Sequence, residues 1–243
     1  MEGYFRIVTP VYNAEKWIGP CIKSVLSQTD DRWTQIIVVD GATDNTYYEA
    51  VLAANNDSRI KIIKTDYRKG TYSSHKLAHD LHEKNEQDVF VHLDGDDRFL
   101  NNNVLSFLRN IYEKNKVWAT YGNYITSSGN KSICRSVNLS EGIRSQILKN
   151  WPFSHLRTFK CFLWEKLKND AFLDSSGKEL TSAVDVAIFA PILEMCGNRI
   201  AFIKTPLYFY NDTTGINDHS IMLNEQVRSA LEIYKKKEYK IIE

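Results

Sequence analysis

The segment VFVHLDGDDRFL, Val89 to Leu100, runs an apolar stretch into three acids within four positions, Asp94, Asp96 and Asp97. Carboxylates that close raise the cost of ionising one another. Two settings accommodate them: a solvated turn, or a site where a divalent cation sits among hard oxygen donors. Two further polar turns stand earlier in the chain, TPVYN with Tyr12 and Asn13, and VVDGATDNT with Asp40 and Asp44. Taken singly, Asp40 and Asp44 read as turn and helix-cap residues. All three turns follow strand-like apolar runs, and ligands of open parallel sheets bind beyond the carboxyl ends of the strands. That shared placement favours a ligand site.

The elements that must position these turns are legible from their periods. YFRIVTPV is strand-like, and Asn13 is placed to cap a helix through about Gln28, with Ile18, Ile22, Val25 and Leu26 on one face. Pro20 inside that helix calls for a delayed start or a kink. QIIVVD is almost continuously apolar, as in a parallel sheet covered on both faces. A helix from Tyr47 to Ala54, the strand RIKIIK, a helix from Ser73 to Lys84 and the strand DVFVHLD follow. This βαβα alternation predicts an α/β fold with a doubly wound sheet. After about Asn123 the rhythm breaks into the turn-rich YITSSGNKSICRSVNLSEG and the aromatic, basic NWPFSHLRTFKCFLWEKL. A helix from Val184 to Cys196, two short strands RIAFIK and LYFY, and an amphipathic tail helix complete the chain. No repeat or long linker divides residues 1–243, which predicts a single domain.

Bulk properties exclude several classes. With 243 residues, 43% hydrophobic and 25% charged, the chain is not globally disordered, and a net charge of +1 argues against strong non-specific nucleic-acid binding. No apolar run approaches the roughly 20 residues of a transmembrane segment. MEGYFRIVTP lacks the basic-then-apolar pattern of a signal peptide. Cys21, Cys134, Cys161 and Cys196 are scattered, which predicts free thiols and a cytoplasmic protein.

In order along the chain, IVTPVYNAEKWIGPCIKSVLSQT, QIIVVDGATDNT, HLDGDD and TSAVDVAIFAPILEMCGNRIAFIKTPLYFY resemble the family 2 glycosyltransferases of the GT-A fold. The resemblance covers roughly Arg6 to Tyr210 and implies a Rossmann-like, mostly parallel central sheet flanked by helices. It divides the domain into a nucleotide-binding half, 1–123, and an acceptor half with the C-terminal helix, 124–243. Pro10 and Tyr12 would flank the base of a nucleotide-diphosphate sugar. The family's Asp-Asp-Gly-Ser appears as Val39-Asp40-Gly41-Ala42, so Asp40 matches the acid that reads a uracil-type edge. Lys69, with Arg68 and Lys76, is a candidate for the nucleotide or its phosphates, against a plain reading as solvated surface charge.

The same resemblance assigns LDGDD to the family's Asp-x-Asp-Asp. Asp94 and Gly95 would face the donor, and Asp94 and Asp96 would hold Mn2+ or Mg2+ against its diphosphate. His219 would complete the metal site, or else be structural. The family's Glu-Asp pair reads Val184-Asp185, which makes Asp185 the catalytic base, with an ordinary helix-start acid as the alternative. His155 and Arg157 in WPFSHLRTFK would border the acceptor, unless the segment is a core strand with surface basics.

The implied activity is an inverting, metal-dependent transfer from a UDP-linked sugar to a hydroxyl acceptor, of a glycan or of a modified nucleobase. Two rivals stand beside it. A nucleotidyltransferase would carry a Gly-rich basic loop after the first strand, which TPVYNAEKW lacks. A non-enzymatic nucleotide-sugar module would follow if Val39 and Val184 mark decayed acids.

Overall fold

Strand β2, Trp33–Asp40, shows why the sheet forms where it does: it is buried almost throughout. Its side chains alternate between two cores. Ile36 and Val38 join Val8 and Phe90 on one face, while Ile37 and Val39 join Phe5, Ile7 and Val91 on the other. A strand apolar on both faces needs cover on both. The computed structural model describes residues 2–130, 132–214 and 223–243, and supplies that cover as helices.

Eight strands run in the order β3-β2-β1-β4-β7-β6-β8-β5. The first four are β1 (Phe5–Val11), β2, β3 (Ile60–Thr65) and β4 (Val89–His92), all paired in parallel. Helices α1 (Ile18–Leu26), α2 (Thr46–Ala54) and α3 (Thr71–Leu81) connect them. Beyond β4 the sheet turns mixed. The short β7 (Thr158–Lys160) lies antiparallel to both β4 and β6 (Ala119–Thr126). Strand β8 (Ile200–Tyr210) runs parallel to β6 and carries the two-residue β5 (Arg98–Phe99) on its outer edge. Helices α4 (Val104–Asn115), α5 (Val184–Cys196) and α6 (Leu223–Lys235) complete the layers. Among the described residues, no helix is long and apolar enough to cross a membrane.

Several sequence expectations change here. Of the two outcomes expected from Pro20 the delayed start holds: helix α1 starts at Ile18, so Pro20 falls in the first turn, where its missing N–H has no partner to lose. Asn13 therefore caps nothing. It takes a positive φ of 46° and its side-chain oxygen accepts the Thr43 N–H at 2.8 Å, tying the end of β1 to the turn after β2. RIAFIK and LYFY are one strand rather than two; β8 carries extra residues between Ile203 and Tyr208, opposite Gly122 and Tyr124 of β6. Helix α4 and strands β5 and β6 were not foreseen, whereas β7 falls in WPFSHLRTFK, for which a core strand was the alternative reading.

Sheet order reverses at β1, with β2 and β3 on one side and β4 on the other. A cleft opens at such a switch point, beyond the strands' carboxyl ends. Gly41 makes the second of its turns possible. Its φ is +62°, and a Cβ there would lie 2.2 Å from the backbone nitrogen of Arg68. Only glycine lets the two loops close over one another.

Asp88 anchors the start of β4. Its fully buried carboxylate accepts the Tyr4 N–H (2.8 Å), the Asn85 N–H (3.1 Å) and Arg6 Nε (2.8 Å). Removing one partner of a buried ion pair costs about 3–5 kcal/mol. Asp88→Ala should lose about that much, read as a lower urea midpoint at unchanged slope.

Candidate active site

A cavity of about 270 Å³ lies at the carboxyl ends of β1, β2 and β4. Pro10, Tyr12, Asp40, Asp94 and Asp96 line one side, and His155, Arg157 and Asp185 line it from the second half of the chain. Eight positions singled out in the sequence thus converge on one space. Lys69, Gly95 and His219 do not join them in the described structure. Lys69 contributes its backbone N–H to Asp40 while its ammonium lies over Tyr67. Gly95 packs beneath the site: a Cβ there would come within 2.5 Å of the Val11 side chain, so glycine is required by packing. His219 lies outside the described residues.

On the wall formed by the first half of the chain, Asp40 is buried and both its oxygens already serve the protein. It accepts N–H groups from Lys69 and Gly70, each at 2.8 Å, and the Thr65 hydroxyl at 3.1 Å. Asp40 therefore shapes the 65–70 loop as well as lining the cavity. Of the basic candidates, Arg68 reaches the cavity, its guanidinium 4.2 Å above the Tyr12 ring. Lys76 instead pairs with Asp80 on the exposed surface of α3.

The three acids of the opening turn have different fates. Asp94 and Asp96 line the cavity; Asp97 is buried behind them. The Tyr208 hydroxyl donates to Asp97 Oδ2 at 2.6 Å, and the Asn211 N–H donates to Oδ1 at 2.7 Å. The same hydroxyl accepts the Asp94 N–H at 3.2 Å. Burial, then repulsion from Asp96 and Asp94, raises the Asp97 pKa well above the usual carboxylate range despite these hydrogen bonds. One ligand atom from each of Asp94, Asp97 and His155 lies within 4.8 Å of the others. Asp97 has both oxygens engaged, so the acids open to the cavity, Asp94 and Asp96, are the better-placed donors. Hard oxygens in this number suit Mn2+ or Mg2+. Three crowded acids with one pKa driven upward are what a dication would relieve.

Helix α5 presents the other wall. Every residue from Val184 to Cys196 is buried except Asp185, whose side chain is 38% exposed in the first turn. Arg157 Nη1 donates to Asp185 Oδ2 at 3.0 Å from a guanidinium only 6% exposed. Burial alone would lower the Arg157 pKa, but Asp185 and Asp94 outweigh it and raise it. Arg157 is thus a fixed cation between the two acidic walls. His155 stacks on Tyr208 and Tyr210, with ring centroids 4.5 and 5.2 Å away, and burial followed by Arg157 drives its pKa well down. WPFSHLRTFK therefore serves both of its expected readings: Phe153 and Phe159 enter the core, while His155 and Arg157 face the cavity. Lys160 points elsewhere, donating to the Gln87 carbonyl.

Sequence reasoning missed Tyr208 and Asn211, which hold the acidic turn, and Thr71, Ser74 and Tyr210, which line the cavity. Nothing in LYFY beyond its strand character marks the hydroxyl that matters.

Comparison with known proteins agrees with this architecture. The family model described as glycosyl transferase family 2 matches residues 6–167, more than half of the chain. The chain is similar to the UDP-Glc:alpha-D-GlcNAc-diphosphoundecaprenol beta-1,3-glucosyltransferase WfgD of Escherichia coli, 32% identical over 62% of this chain and 57% of that protein. It also resembles S. aureus TarS 1-349 in complex with UDP-GlcNAc, at a TM-score of 0.71 and 21% identity over 89% of this chain and 61% of that one. Glucosyl-3-phosphoglycerate synthase from Mycobacterium tuberculosis, in complex with Mn2+, UDP and glucosyl-3-phosphoglycerate, has a TM-score of 0.62 at 15% identity over 95% of this chain and 79% of that one. The chain thus spans less than two thirds of the length of WfgD and of that TarS chain. A parallel half-sheet ending in the LDGDD turn, faced by the first turn of α5, is the GT-A arrangement, and the protein belongs to glycosyl transferase family 2.

Proposed function

We propose that this protein moves a sugar from a UDP-linked donor to a hydroxyl acceptor of a glycan, with inversion at the anomeric carbon and with Mn2+ or Mg2+ bound. One observation carries the reading: Asp185 and the Asp94–Asp96 turn line one cavity, with Arg157 paired to Asp185 and held by the charge of Asp94 as well. The donor's base lies against Pro10, Tyr12 and Asp40, in the half formed by residues 1–123. The acceptor enters from the half formed by 124–243, past His155 and Arg157. The relatives' own ligands, UDP-Glc in the name of WfgD and UDP-GlcNAc with TarS, support a UDP donor. Free thiols at all four cysteines accord with a cytoplasmic setting.

Asp94 and Asp96 would hold the cation, which when bound offsets the charge of the diphosphate. Asp185 removes the proton of the acceptor hydroxyl. The hydroxyl oxygen attacks the anomeric carbon from the side away from the diphosphate, and the carbon–oxygen bond to that diphosphate breaks. Arg157 holds the Asp185 carboxylate in place, because a guanidinium so deeply buried has little freedom to move. The acids missing at Val39 and Val184 do not breach the site: Val39 packs in the core and Val184 is buried at the cavity edge.

Two measurements test this. In Asp185→Asn, sugar release from UDP-Glc or UDP-GlcNAc should fall about a hundredfold or more, the usual weight of a general base. The Mn2+-dependent rise in Tm given by the same donor should survive, since a ligand of the native state stabilises by its affinity alone. Unchanged turnover would overturn the assignment. A wild type that binds donor but releases no sugar to any acceptor or to water would instead favour a binding module.

The acids of the turn should separate by thermal melting. Asp96→Ala should abolish the Mn2+-dependent donor shift while leaving the Tm of the ligand-free protein unchanged or higher. Asp97→Ala should lower that Tm, because the Tyr208 hydroxyl and Asn211 N–H lose their acceptor at about 1–3 kcal/mol each. Relief of repulsion from Asp94 and Asp96 offsets only part of this. Equal behaviour of the two variants would refute the division of roles.

A further inference from the structure

Three imidazoles meet on the α3 side of β4. His75 and His79 lie one turn apart on α3, and His92 ends β4. Their ring centroids are 4.9 Å (His75–His92), 5.0 Å (His79–His92) and 6.0 Å (His75–His79) apart. One nitrogen from each lies within 4.8 Å of the others, and all three residues are buried. His79 and His92 do not line the donor cavity, so the proposed transfer chemistry leaves them unexplained.

Their hydrogen bonds define lone pairs. His79 Nδ1 lies 2.7 Å from the His75 carbonyl. A carbonyl only accepts, so Nδ1 carries the proton and Nε2 keeps its lone pair. That Nε2 lies 3.0 Å from His92 Nε2, so His92 Nε2–H donates to it, and an ion bound here would take the place of that proton. His75 Nδ1 is buried with no hydrogen-bond partner among the described residues. Trp164 stacks on the His79 ring at 3.9 Å and Phe90 meets it edge-on, which fixes its orientation. A backbone carbonyl on the far nitrogen is how a metal-ligating histidine is usually oriented. Burial lowers the pKa of His75 to about 3 and that of His79 well below its ordinary value, leaving both neutral, the form that ligates.

The unpaired His75 Nδ1 is costly in this interior, since a buried polar atom left unmet costs about 1–3 kcal/mol. Arg157, the cation that acts on His75, is not unbalanced: Asp185 and Asp94 answer its charge. His75 also lines the donor cavity, which gives an ion a way in.

We propose that His75, His79 and His92 bind a transition-metal dication of the Zn2+ type, which ties α3 to β4. Imidazole nitrogens favour Zn2+, Co2+ and Ni2+, whereas carboxylates favour Mg2+ and Mn2+. The site is therefore distinct in ligand chemistry from Asp94 and Asp96. Three protein ligands leave the fourth tetrahedral position to a water. Helix α3 carries Thr71, Ser74 and His75 into the cavity wall, and β4 leads into Asp94. A metal here would fix those two walls relative to each other.

Titration of the metal-stripped full chain with Co2+ alone tests this. One equivalent should bind at micromolar free metal, with the visible absorption of tetrahedral Co2+. Zn2+ should displace it, excess Mg2+ should not, and Tm should rise. His79→Phe keeps an aromatic ring against Trp164 and should weaken Co2+ binding about a hundredfold or more, beyond the range seen for outer-shell losses. Asp96→Ala should keep the Co2+ band, which separates this site from the acidic turn. The proposal is overturned by a wild type that neither shows the band nor gains Tm, by equal binding in His79→Phe, or by loss of the band in Asp96→Ala. Should His79→Phe not fold, the wild-type and Asp96→Ala titrations decide between these outcomes by themselves.

Discussion

The Tyr208 hydroxyl stands between Asp97 and the backbone of Asp94, and the acidic turn depends on it. Two open acids, Asp94 and Asp96, are presented because a third is buried behind them, and burying a carboxylate is costly unless its oxygens are met. Tyr208 and the Asn211 N–H meet them. Both partners come from the last strand and the residue after it, so the edge of the mixed sheet supports the mouth of the parallel one. The short β5 continues this support, because Arg98 and Phe99 pair with β8 directly after the acids.

Arg157 is the electrostatic counterpart. The cavity gathers acids from β4 and α5, and without a cation between them the walls would repel. Strand β7 inserts between β4 and β6 as an antiparallel strand and delivers Arg157 just before its first residue. The guanidinium is held in protein rather than water, where its interaction with Asp185 is less screened. Its partner is more open: Asp185 is the one unburied residue of a helix whose other charged side chain, Glu194, pairs with Arg144 in the interior. Fixed charge behind and accessible carboxylate in front suit the general-base role proposed for Asp185.

Beneath these walls the helix α3 does two things. Its first turns line the cavity, and its inner face carries the imidazoles that meet His92. The loop before it is drawn in by Asp40, whose oxygens gather the backbone N–H groups of Lys69 and Gly70. The same acid that the family resemblance assigns to the base thus also sets the loop beside it. Val39, its neighbour in the strand, contributes only packing.

Much was legible in the chain itself. Alternation of strand and helix periods predicted the parallel half-sheet, because those signals are local and repeat every two or 3.6 residues. The turns TPVYN, VVDGATDNT and LDGDD were placed at strand ends, and the helix from Val184 to Cys196 has the expected bounds. The positions brought together at the cavity, from Pro10 to Asp185, follow from that order of elements. Tertiary structure alone decided the rest. It moved Asn13 from a helix cap to a loop tie, merged two strands into β8, and removed Lys69 and Gly95 from the cavity lining. It also paired Arg157 with Asp185 and Tyr208 with Asp97, partners 28 and 111 residues apart. Those pairings depend on how the chain returns through antiparallel strands to the edge of β4. No local period encodes that return, because it is chosen by which buried charges and hydroxyls can satisfy one another.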